Sequence, residues 1–239
     1  MNKKKMLAIA LAVCLTAILS FTTLAWFTDS EEVKNTFTVG SIKIKQHEEQ
    51  IGEDGTPEPF ENDKVLIPIV DENDPSADPN YQDKIVTVEN VGNNPAYVRT
   101  HIAVPKRLVG YLNLDVSDGN GWTFDYSTEV SAEGQAYVVY SYHYDAILEV
   151  GATTPAVLEG VYLYAEVDMK TNPESGDLEF CKWNDQTQKY DFSGFAVKSA
   201  DGTVHTVDVL VATQAVQSQG FGSAQEALDA AFGNTTPWG

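Results

Sequence analysis

Residues 96–104 read Ala96-Tyr97-Val98-Arg99-Thr100-His101-Ile102-Ala103-Val104. Ala96, Val98, Thr100, Ile102 and Val104 alternate with Tyr97, Arg99, His101 and Ala103. Successive side chains of extended backbone point to opposite sides, so a period of two marks a half-buried strand. The same period recurs on both sides of this stretch. Residues 38–45 set Ile42 and Ile44 against Lys43 and Lys45, and residues 136–145 set Tyr140, Tyr142 and Tyr144 against Val139, Ser141 and His143. Residues 161–168 set Val161, Leu163, Ala165 and Val167 against Tyr162, Tyr164, Glu166 and Asp168, and Val207, Val209 and Val211 close the series. Less regular strands are expected at 65–70, 84–89, 122–126, 178–183 and 190–197. Chain-reversing clusters such as Asn93-Asn94-Pro95, Asp118-Gly119-Asn120-Gly121 and Asp201-Gly202 separate them. Strands at this spacing without helices between them predict an all-β fold, a jelly-roll-like sandwich of two sheets.

Two segments depart from the pattern. Ser223 followed by Glu226 is a capping box, Ala224, Ala227, Leu228, Ala231 and Phe232 form an apolar stripe, and Gly233-Asn234 is a stop signal. A short C-terminal helix is therefore expected over 223–232, covering an edge or end of the sandwich. Residues 46–83 carry dense acids together with Pro57, Pro59, Pro68, Pro75 and Pro79, which predicts a loop-rich excursion around the strand at 65–70.

Lys3, Lys4 and Lys5 precede an uncharged run from Met6 to Trp26, the layout of a signal peptide. A single membrane anchor is the competing reading, since about 20 apolar residues span a bilayer. Thr23 and Ala25 put short side chains where signal peptidase needs them, and the next charges, Asp29, Glu31 and Glu32, have the wrong sign for a cytoplasmic flank. Cleavage is expected between Ala25 and Trp26, leaving residues 26–239 as one domain with no membrane attachment. A lipoprotein reading at Cys14 is disfavoured by the bulky Val13 before it. Removing 1–25 removes three lysines and no acid, so the net charge of −20 becomes −23. Such a chain does not follow nucleic-acid phosphates or anionic lipid. It suits divalent cations, a cationic cell-wall or matrix polymer, or simply a solvated surface. Cys181 is then the one remaining cysteine and no disulfide forms within the chain.

Catalytic signatures are sparse. His47, His101, His143 and His205 are widely separated and lack the His-Glu-x-x-His spacing of a metallopeptidase helix. Imidazoles from different strands could still meet around zinc or copper, with ordinary surface or edge histidines the commoner case. Neither a nucleophile elbow nor a phosphate-cradling glycine loop occurs, so the chain is expected not to be an enzyme and to need no cofactor. Asp71, Asn73, Asp74 and Asp78 are the candidate ligands for calcium, which takes six to eight hard oxygens, although the spacing lacks the EF-hand's central glycine. Tyr137, Tyr140, Tyr142, Tyr144, Tyr162 and Tyr164 crowd what read as two neighbouring strands, either as a glycan-binding platform or as ordinary cross-strand pairs.

The sequence Leu24-Ala25-Trp26-Phe27-Thr28-Asp29, followed by Asn35-Thr36-Phe37-Thr38-Val39-Gly40 and Ile42-Lys43-Ile44, resembles the TasA/camelysin family. The run from Val88 through Asn93-Asn94-Pro95 to Arg99, and the tail from Ala215 through Gly220-Phe221 to the helix, are similar to other stretches of such exported proteins. The resemblance implies export through a SipW-type signal peptidase, a jelly roll, and extracellular fibres of a biofilm matrix built from copies of one chain. It implies also that the N-terminal segment, with Trp26, Phe27, Thr28, Asp29 and Val33, adds as a donor strand to the next subunit. A monomeric surface module for calcium or glycan is the alternative, and a camelysin-like metallopeptidase a further one.

Overall fold

The computed structural model describes residues 28–30 and 42–238 except 63, 118 and 133. Within these the chain is all-β, as the alternation predicts, with one α-helix near the C-terminus. Five strands form one sheet in the order β1 (Thr28–Ser30), β13 (Leu210–Gln217), β5 (Ala96–Pro105), β8 (Gln135–Tyr144) and β7 (Trp122–Ala132). A second sheet runs β3 (Pro57–Pro59), β2 (Ile44–Ile51), β4 (Gln82–Asn90), β9 (Leu158–Leu163) and β6 (Leu112–Val116). Strand pairing is antiparallel throughout, and the chain crosses between these sheets at β4 to β5, β5 to β6, β6 to β7 and β8 to β9.

The main core lies between the two sheets, where Val98, Ile102 and Val104 of β5 meet Val86 and Val88 of β4 and Leu158 and Leu163 of β9, all buried. Ile42 and Ile44 point into it as their alternation requires. β5 is buried on both faces, because the helix α1 (Ala224–Phe232) lies over its other side and packs Ala224, Ala227 and Leu228 against Tyr97 and Val216. The cap forms as half of the expected box: Ser223 Oγ accepts from the Glu226 N–H, while the Glu226 carboxylate accepts from the N–H of Gly222, one residue before the cap. The helix thus covers a sheet face, not the edge or end expected of it, since its apolar stripe needs a broad surface to bury. Among the described residues no helix is long and apolar enough to cross a membrane.

Several sequence expectations need correction. A third sheet, β10 (Val167–Thr171), β11 (Leu178–Asn184) and β12 (Lys189–Lys198), stands apart from the other two. The single strand expected over 161–168 is instead β9 and β10 with a turn between them, closed by the Val167 N–H donating to the Tyr164 carbonyl. Residues 65–70 form no strand: only Pro68 and Ile69 touch β9, at Leu163, and Pro68 has no N–H to offer a ladder. The excursion is shorter than 46–83, because β2 continues to Ile51 and β3 folds back on it. β8, which carries Tyr137, Tyr140, Tyr142 and Tyr144, and β9, which carries Tyr162, belong to different sheets and are not neighbours, and Tyr164 lies in the turn after β9.

Gly160 of β9 shows how tightly the second sheet is covered. A Cβ there would lie 2.3 Å from the Tyr81 ring, and the Tyr81 hydroxyl is fixed by donating to Asp115 at 2.7 Å. Gly160→Ala is expected to cost about 1–3 kcal/mol from overpacking, read as a lower urea midpoint. The same substitution should cost markedly less in a Tyr81→Ala background; an equal cost in both would show that Tyr81 is not the obstacle.

Candidate functional site

The outer edge of β13 is partly open among the described residues. Three residues of β1 cover its second half, with Thr28 opposite Val216, Asp29 opposite Ala215 and Ser30 opposite Gln214. Beside Leu210–Thr213 no strand lies on that side among the described residues. A groove of about 1200 Å³ opens there between the sheets, walled by Val209 and Val211, by Gln46 and Lys84 of the second sheet, and by Phe180 and Val197 of the third. Gln46 reaches across it, donating to the Val211 carbonyl at 3.3 Å and accepting from the Thr213 hydroxyl at 2.9 Å. Lys84, almost fully buried, lies 4.3 Å from the centre of the Phe60 ring and is ion-paired with Glu48. The groove thus combines backbone groups of a strand edge with apolar walls, the two features that accept an extended peptide.

Of the residues expected to act as a donor strand, Thr28 and Asp29 lie on β13 of their own chain. Trp26, Phe27 and Val33, and the cleavage position at Ala25 and Trp26, fall outside the described residues.

A second cluster sits beneath α1, on the face of the first sheet turned away from the core. Arg99 is fully buried. Its Nε donates to Asp125 at 2.6 Å, Nη2 to Asp229 of α1 at 2.6 Å, and Nη1 to the Gly233 carbonyl at 2.9 Å. Asp125 occupies a register shift of β7, between Phe124 opposite Tyr142 and Tyr126 opposite Ser141. The extra residue re-aims its carboxylate toward Arg99. His143 donates from Nδ1 to the other oxygen of Asp125 at 2.6 Å, and its Nε2 lies 3.2 Å from Asp145. Burial alone would raise the Asp125 pKa, but the bond from His143 and the charge of Arg99 outweigh it and hold the carboxyl below its ordinary value.

His101, beside this network and fully buried, bonds Ser141 through Nδ1 at 2.8 Å and Gln214 through Nε2 at 3.0 Å. The Ser141 side chain is closed off from solvent and any substrate, so the pair has no nucleophilic use. His101 and His143 are core histidines, not the surface or edge residues expected, because α1 and the tail cover the face they occupy. His205, bonded to Ser199, and His47, bonded to Glu89, lie elsewhere, so the four imidazoles do not converge.

The candidate calcium ligands are engaged within their own loop. The Asp78 carboxylate accepts from the Asn80, Val70 and Asp71 N–H groups, and the first two of these hold its pKa down. Asp71 accepts from both nitrogens of Asn73, and Asp74 from Ser76. Among the described residues no three His, Cys, Asp or Glu side chains are placed to hold a metal ion. Of the tyrosines, Tyr137 is buried and Tyr140, Tyr142 and Tyr144 pack against the main core, an arrangement of core side chains and not a flat platform. Cys181 is buried.

Sequence reasoning missed Arg99, Asp125 and Asp229 as a set. An arginine in the middle of a strand, between Val98 and Ile102, was the available signal. No family model, curated protein or solved structure matches this chain.

Proposed function

We propose that the chain is a secreted structural subunit that assembles head to tail into extracellular or matrix filaments, the N-terminal segment of one copy adding a strand along β13 of the next. The observation that carries this reading is that the N-terminal segment, described at Thr28–Ser30, lies as an edge strand on β13, beside an open groove. An edge segment can exchange for the same segment of another copy, since every contact given up is regained between chains. Groove walls such as Val209 and Val211 offer burial for the aromatic rings of Trp26 and Phe27. In this reading a SipW-type peptidase releases the segment, the partner is the chain itself, and a cell-wall or matrix polymer is a further partner for the acidic surface.

Deleting residues 26–35 is expected to abolish fibres seen by electron microscopy while leaving β content by circular dichroism unchanged. Fibres from the truncated chain would rule out strand donation, and an unfolded product would assign the segment to its own sheet.

A further inference from the structure

The C-terminal segment is laid along a single row of side chains. On the outer face of β5 the row runs Tyr97, Arg99, His101, Ala103. Tyr97 clusters with Ala224, Ala227 and Leu228 of α1, and Arg99 donates to Asp229 and to the Gly233 carbonyl. The His101 ring lies 6.4 Å from that of Tyr126, whose hydroxyl donates to the Thr235 carbonyl. Ala103 clusters with Trp238. Residues 224–238 therefore advance along β5 as the row does. The apolar contacts of this layer fall into two clusters, one joining α1 to Tyr97 and Val216, the other joining Trp238 to Ala103, Tyr137 and Val139. Neither shares a residue with the main core. Lifting the layer takes nothing from the core between the sheets, and it gives water to Arg99 and His101, both fully buried while it is down. A unit with few apolar contacts of its own opens at a lower free energy than the whole fold.

Protons couple to such an opening through His101. With the layer down, the ring sits between Ser141 of β8 and Gln214 of β13, bonded to both. Of the charged groups around it, Arg99 on its own strand opposes a second proton and Asp125 of β7 favours one. Asp229 of α1 is engaged by Arg99, and His143 of β8 by Asp125 and Asp145. Burial outweighs the rest and keeps the imidazole at about 4. With the layer up, water relieves that burial and the ring returns toward its ordinary value of about 6.5. The open form then takes up a proton that the closed form refuses. Opening is therefore favoured as the pH falls below about 6.5, and gains nothing further below about 4.

We propose that residues 224–238 form an acid-released flap, which protonation of His101 lifts from the outer face of the first sheet while the two-sheet core stays folded. Lifting it uncovers an apolar face made of Tyr97, Ala103, Tyr137, Val139 and Val216. The inference does not rest on the self-assembly reading above.

The test is amide hydrogen exchange of the whole chain, each rate being divided by that of the unfolded sequence at the same pH. At pH 7.5 the amides of α1 are expected to be about tenfold or more less protected than those of β4, and unaffected by low urea that speeds exchange in β4. Between pH 7.5 and pH 5 the opening of α1 is expected to rise about ten- to thirtyfold. In His101→Gln the rise should vanish. Asp229→Asn weakens the tie from Arg99 without touching the imidazole, so it should raise opening at both pH values and keep the rise; it carries the test if His101→Gln fails to fold. Equal protection in α1 and β4 would mean that the layer opens only with the whole fold, and would overturn the inference. So would a rise of about threefold or less in the parent, a rise that survives in His101→Gln, or a rise that disappears in Asp229→Asn.

Discussion

Arg99→Met is expected to destabilise the fold by about 3–5 kcal/mol, the usual cost of stripping one partner from a buried ion pair. The reason is what the guanidinium leaves behind. The Asp125 side chain is only 2% exposed and would keep its negative charge with His143 as its sole close counterpart among the described residues. The Gly233 carbonyl and one oxygen of Asp229 would also lose their donors, and these are the bonds that fasten the C-terminal helix to the sheet. Arg99→Lys should recover part of the loss, since an ammonium can replace one of these bonds but not a fork that serves three acceptors at once. Adding Asp125→Leu to Arg99→Met should likewise recover part, because the unpaired carboxylate is then gone. Urea denaturation curves read all three. A loss under about 1 kcal/mol for Arg99→Met would mean that solvent reaches the carboxylate and that the helix is held by its apolar stripe alone.

The same cluster shows where sequence reading works and where it stops. Alternation in 96–104 correctly separates two faces, and one of them, Ala96, Val98, Ile102 and Val104, is the core face. It cannot say that the other face is also covered, because the cover comes from a helix more than 100 residues later whose stripe reports only that it needs some surface. Arg99 and His101 therefore read as solvent-facing when they are fully buried. Asp125 was still less visible. Its orientation comes from a register shift, and Phe124-Asp125-Tyr126 looks like ordinary alternation until the pairing with β8 is known. The helix cap at Ser223 was legible because it depends on local chemistry. The turn between β9 and β10 was not, since Tyr164-Ala165-Glu166 contains neither glycine nor proline to mark it. At the groove, the spacing of Val207, Val209 and Val211 places the strand too early: β13 runs Leu210–Gln217, and of the three only Val211 lies in it. That an edge there lies open is a property of strand order, which no local pattern encodes.

Stability should also fall steeply between about pH 6.5 and 4, and His101 should carry a distinct share of that fall. Its two hydrogen bonds fix a neutral tautomer: Nε2–H donates to Gln214 Oε1, and Nδ1 accepts from the Ser141 hydroxyl. A second proton would place a cation in a closed site beside Arg99. Burial chiefly, with Arg99 adding to it, pushes the imidazole down to about 4, against the opposing effects of Gln214 and Asp125. The unfolded chain takes up its proton near pH 6.5 while the folded chain does not, so the unfolded state binds more protons throughout the window and stability rises with pH across it. The stabilisation is fully present above about pH 6.5 and lost by about pH 4, a difference of about 3 kcal/mol at roughly 1.4 kcal/mol per pH unit. Carboxylates such as Asp125, whose pKa is also depressed in the fold, lose their contribution in the same direction but at lower pH. The informative quantity is therefore the difference between the parent and His101→Gln, whose amide offers a donor and an acceptor but does not titrate. Urea midpoints taken from pH 7 to pH 4 should converge for the two proteins as acid is added, because only the parent loses the imidazole's share. Parallel curves over that range would mean that His101 takes up its proton in the folded chain without penalty, and that the layer beneath α1 admits water.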